Sequence, residues 1–136
     1  MVNSPFRSVT DLKANGIHFR RSSSCLTDIK FTSFAFYSEL RLPSFYLTDN
    51  TKVYFSNIIA FEMSPETRTD FAVTTYFNFM KALIHNANDV KVLREKGILY
   101  GLLASNEEVV EIFKSIDTYG YSNRTRGLFR NVKIGI

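Results

Sequence analysis

Glu107, Glu108 and Glu111 form the densest group of carboxylates in the chain. Paired carboxylates do acid–base chemistry when burial or mutual repulsion lifts one pKa towards neutrality. With His85 as a partner, Glu108 or Glu111 would serve an enzyme of unrecognised type. A simpler account covers the same residues. Ser105 and Glu108 stand at capping-box spacing, each side chain reaching the other's backbone N–H, and carboxylates in a first helical turn oppose the helix dipole favourably. His18 is expected on a strand facing solvent, and His85 near a helix C-terminus, where a protonated imidazole favours the dipole. No metal-ligand set, glycine-rich phosphate loop or G-x-S-x-G elbow is read from the chain, so no catalytic residue, metal or cofactor is expected.

Ser22, Ser23 and Ser24 directly follow Arg20 and Arg21, the pattern of a basophilic phosphorylation site at which an added dianion would meet two arginines. A solvated connection is the commoner meaning of so short a polar cluster. Asn123-Arg124-Thr125 fits the glycosylation pattern, without a secretory signal to support it. The lone cysteine, Cys25, excludes an intramolecular disulfide and is expected to behave as a small apolar residue. Arg124, Arg126, Arg130 and Lys133 could form a basic surface that weakly attracts an anionic membrane.

The elements that would position these groups follow from periodicity. Ser4 and Pro5 open a short helix carrying Phe6, Val9 and Leu12. Apolar and polar residues then alternate over residues 17–20 and again over 25–31, as half-buried strands do. Thr32 to Glu39 has neither glycine nor proline, so a longer hairpin or irregular excursion is expected there, and Pro43 closes a third strand-like piece. Residues 17–47 should thus form a small antiparallel three-stranded sheet.

Asp49, Asn50 and Thr51 can cap the helix that follows, whose Phe55, Ile58, Ile59 and Glu62 share a face. Glu62 is expected to meet backbone or an arginine at the helix end. A second helix, residues 70–85, turns Val73, Tyr76, Phe77, Met80, Leu83 and Ile84 inward. Asn88 can cap a short third helix ended by Gly97, and Ser105 opens a fourth with Val109, Ile112, Phe113 and Ile116 inward. The fold class is therefore α+β, a sheet followed by three or four packed helices. Residues 1–117 read as one domain or a piece of a larger one, and 118–136 as a basic, loosely ordered tail.

At 136 residues, a domain buries roughly two thirds of its unfolded surface, and 45% apolar with 22% charged residues is a globular composition. Thirteen Phe and seven Tyr with no Trp give the core an unusual texture. The first residues lack a signal-peptide core, and the apolar run Gly97 to Ala104 is far short of the ~20 residues a membrane span needs. A soluble intracellular chain is expected. The net charge of +4 is uneven: five basic and two acidic residues lie in 1–30, eight and eleven in 31–117, and four basic with no acidic ones beyond. Nucleic-acid binding is not expected, because the aromatics fall on inward positions and the basic residues sit at the two ends.

Three stretches, DLKANGIHFRRSSSCLTDIKF (11–31), LRLPSFYLTDNTKVYFSNIIAFE (40–62) and TTYFNFMKALIHNANDVKVLREKGILYGLLASNEEVVEIF (74–113), resemble the C-terminal part of the plant family called domain of unknown function 247. The resemblance implies relatives with a large additional N-terminal region and a C-terminal membrane-spanning helix. The family has no established catalytic residues to carry over. Some members are linked to pollen–stigma self-incompatibility in grasses, which implies recognition. Phe34 to Glu39 replaces a shorter, glycine-containing turn of the family, and Tyr119 to Ile136 does not continue into the family's charged helix and apolar span. The chain thus reads as a fragment or truncated product, with no membrane attachment through that span. The expectation is a non-enzymatic interaction or recognition module. Its partner would be another protein or the family's N-terminal region.

Overall fold

The computed structural model describes residues 7–67, 69–101 and 105–119. Helix α1 (Val9–Ala14) opens at Ser8, whose hydroxyl accepts the Asp11 N–H at 3.3 Å, and it buries Val9 and Leu12. The start expected at Ser4 and Pro5 lies outside the described residues. Strands β1 (Ile17–Arg21), β2 (Lys30–Ser33) and β3 (Ser38–Leu42) form the three-stranded sheet.

That sheet is mixed, not antiparallel as expected. Its order is β1-β3-β2, with β1 parallel and β2 antiparallel to the central strand. The physical reason lies in β3, which buries Ser38, Glu39, Leu40 and Leu42, while β2 buries none of its residues fully. The most buried strand takes the centre and the chain must carry residues 22–29 across the end of the sheet. Alternation reports which face of a strand is buried and says nothing of its neighbour's direction. Strand β2 also begins later than expected. Residues 25–29 turn on themselves, with the Asp28 N–H donating to the Cys25 carbonyl at 2.9 Å and the Ser22 hydroxyl to the Asp28 carbonyl at 2.6 Å. The β2–β3 hairpin has the expected longer loop, closed by the Phe34 N–H on the Tyr37 carbonyl at 2.7 Å.

Phe45–Leu47 belongs to a different sheet. As β4 it pairs in parallel with β5 (Leu99–Gly101). At Gly101, φ is +138°, and a Cβ there would collide with the Leu47 backbone, so only glycine permits this approach.

Four helices follow the first sheet: α2 (Thr51–Glu62), α3 (Ala72–Leu83), α4 (Ala87–Glu95) and α5 (Asn106–Ser115). Helix α3 packs against α2 and α5, and α5 also against α4. Within α3, Tyr76, Phe77, Phe79, Met80 and Leu83 are all fully buried. Phe77 sits among the rings of Phe45, Phe55 and Phe113, at centroid distances of 5.5, 5.3 and 5.4 Å. Such pairs add roughly 0.5–1.5 kcal/mol each to the area they bury, which gives the phenylalanine-rich composition its place. On α2 the expected inward stripe is only partly sunk: Ile59 is buried, whereas Phe55 and Ile58 are half-buried. Helix α4 is capped by Asn86 and not by Asn88, because Asn86 forms a reciprocal capping box with Asp89. Among the described residues no helix is long and apolar enough to cross a membrane.

Candidate functional site

Buried ionisable groups are where acid–base chemistry would hide, and among the described residues three carboxylates are buried: Glu39, Glu62 and Asp89. Each already has its partners. Glu39 bridges Arg41 at 2.8 Å and Arg20 at 3.3 Å across the sheet. Glu62 accepts the N–H groups of Val73 at 3.1 Å and Thr74 at 2.8 Å, and the Thr74 hydroxyl at 2.5 Å. It therefore supplies the first turn of α3 with acceptors that Phe71, the residue before that helix, cannot give. Phe71 is held at φ 58° there, a left-handed conformation that costs a non-glycine residue roughly 1–2 kcal/mol. Glu62 thus meets backbone, one of the two partners expected of it.

Asp89, four residues after His85, is a functional group that local sequence signals mark out only faintly. Its carboxylate accepts the N–H groups of His85 at 2.8 Å, Asn86 at 3.0 Å and, from the far end of the chain, Thr10 at 2.9 Å. That last contact ties α1 to α4. The only local signal was the Asn86–Asp89 capping spacing, which Asn88 obscured.

The expected capping box at the start of α5 is present: the Ser105 hydroxyl accepts the Glu108 N–H, and Glu108 accepts the Ser105 N–H, both at 3.1 Å. Glu107, Glu108 and Glu111 line a shallow cleft of about 370 Å³ with Asp49 and Ile112. His85 is not among its lining residues. Its ring Nε2 lies 2.8 Å from the Ala82 carbonyl. Among the described residues no group of three or more His, Cys, Asp or Glu is placed to hold a metal ion.

Of the serine cluster, Ser23 and Ser24 are exposed and Ser22 is half-buried. Cys25 is exposed beside them, not buried as a small apolar residue would be, and hydrogen bonds from Thr27 hold its thiol below the usual range. Arg124, Arg126, Arg130 and Lys133 lie outside the described residues, as does the Asn123 pattern.

The surface carries an apolar stripe that periodicity does not reveal. Val53, Tyr54, Asn57, Ala60 and Phe61 of α2 are all exposed. At 3.6 residues per turn they share about a third of the helix circumference. Val53, Tyr54 and Phe61 are 65%, 61% and 66% exposed, and none of the five is charged. The available signal was that α2 is apolar on both sides, the mark of a helix covered on both sides. Two smaller aromatic sites accompany it: the tilted pair Tyr46–Tyr100, with centroids 5.2 Å apart, and the hairpin tip, where Phe36 is 97% exposed.

The family described as plant protein of unknown function, DUF247, matches residues 1–134. Two Arabidopsis thaliana proteins are similar to the chain. UPF0481 protein At3g47200 is 32% identical over 113 residues, 80% of this chain and 23% of its own length. UPF0481 protein At3g02645 is 28% identical over 110 residues, 80% of this chain and 20% of its own length. The chain thus spans about a fifth of the relatives it matches. No solved structure matches it.

Proposed function

The chain belongs to the DUF247 family of plant proteins of unknown function, and from that membership we propose that it is a non-enzymatic interaction module whose docking face is the outer side of α2. The observation that carries this reading is the uncharged stripe of Val53, Tyr54, Ala60 and Phe61, set on a helix whose other side already packs on α3 and α5. Exposed apolar groups gathered on one face mark interaction surfaces, and aromatic residues supply most of the energy at such interfaces. The occupant that fits is the remaining region of the family architecture. The relatives are roughly four to five times as long as the matched segment, and a neighbouring region of that size would cover a second side of α2.

The test is co-expression of this chain with the unmatched region of UPF0481 protein At3g47200, followed by size-exclusion chromatography with light scattering. A one-to-one complex is expected, weakened at least tenfold by Tyr54→Ser or Phe61→Ser, since a central aromatic anchor is worth about 2 kcal/mol or more. A complex unaffected by both substitutions, or no complex, overturns the reading.

A further inference from the structure

We propose that Ser24 accepts a phosphoryl group and that the basic end of the three-stranded sheet then holds the phosphate. The three serines differ in what their hydroxyls already do. Ser22 donates to the Asp28 carbonyl at 2.6 Å, and Ser23 accepts the Cys25 N–H at 3.2 Å. Ser24 is exposed at the bend that follows, and among the described residues its hydroxyl has no hydrogen-bond partner. Arg21 precedes it by three residues and Arg20 by four, and both are exposed. That is the arrangement a kinase with an acidic substrate groove reads.

The register supplies the second half of the argument. Arg20, Arg41 and Lys30 stand abreast on β1, β3 and β2, at the end of the sheet from which the 22–29 connection leaves. Two carboxylates answer them, Glu39 beneath the arginines and Asp28 at 3.5 Å from Lys30. Arg21, in register with the buried Leu42, lies on the other face of the sheet with its guanidinium against Gly97, so on this face three cations meet two anions. The one positive charge in excess offsets part of the roughly −1.5 to −2 of a phosphoserine at neutral pH.

The transfer itself is ordinary. The Ser24 Oγ attacks the terminal phosphorus of a kinase-bound nucleoside triphosphate. The new O–P bond forms as the bond to the nucleoside diphosphate breaks, and the hydroxyl proton passes to the kinase's base.

The intact chain is incubated with ATP and the catalytic subunit of a basophilic serine/threonine kinase, and the product is mapped by tandem mass spectrometry. One phosphate on Ser24 is expected. Incorporation should fall at least tenfold in Ser24→Ala and in Arg21→Gln, with circular dichroism unchanged because neither exposed side chain is part of the core. Phosphorus NMR titration should then give a lower second phosphate pKa in the folded chain than in urea, and Lys30→Gln should narrow that gap. Absent incorporation, or incorporation undiminished in Ser24→Ala, overturns the acceptor assignment. A phosphate pKa equal in folded and unfolded chain overturns the holding site.

Discussion

Helices α2 and α3 are each twelve residues long and each rich in apolar side chains, yet they spend that content differently. Helix α3 lies between α2 and α5, and Tyr76, Phe77, Phe79, Met80 and Leu83 are fully withdrawn from water. Among the described residues the main neighbours of α2 are α3 and α5, on the side of Ile59, which sinks while Val53, Tyr54 and Phe61 stay exposed. Apolar content alone did not decide burial; the number of elements available to cover each helix did. What α2 carries beyond its packing is the material of an interface.

Substitutions test the contrast. Phe77→Ala should cost about 3–5 kcal/mol in urea denaturation, because it empties the middle of the aromatic cluster; a loss below about 1 kcal/mol would remove α3 from the centre. Glu62→Ala should cost about 2–3 kcal/mol, since the Val73 and Thr74 donors lose a buried charged acceptor. That change links the two helices, and a neutral result would show that α3 starts without help from α2. Tyr76→Phe should have the opposite sign. Its hydroxyl is buried without a partner among the described residues, and burial pushes its pKa up, so removing the oxygen should stabilise by about 1 kcal/mol. Phe61→Ser should change stability by no more than about 0.5 kcal/mol, as exposed sites generally do. A loss of 2 kcal/mol there would mean that the outer face of α2 belongs to the core and is not free to dock.

What was legible in the sequence was local. Ser105 with Glu108, Glu62 turning to backbone, and the inward side of α3 each depend on residues a few positions apart or on simple periodicity. The capping of α4 was misplaced by two residues because Asn86 and Asn88 are equally good local candidates, and only the Asp89 carboxylate separates them. The direction of β1 was illegible for a different reason. His18 and Arg20 alternate with Ile17 and Phe19 whichever way the neighbour runs, and β3 comes about twenty residues later. Asp89 reaching back to Thr10 is more distant still. The outer face of α2 is illegible because Phe55, Ile58 and Ile59 suffice to make an amphipathic helix, and Tyr54 and Phe61 add nothing to that periodicity.

Placing β3 between β1 and β2 also sets an order of assembly. The β2–β3 hairpin closes a short loop and can form within microseconds by itself, whereas β1 has no neighbour until β3 is in place. Docking of β1 with α1 is then the late, long-range step, sealed when Thr10 finds Asp89. In hydrogen exchange the amides of α1 and β1 should therefore open first, as a unit, while those of α3 persist until the whole chain unfolds.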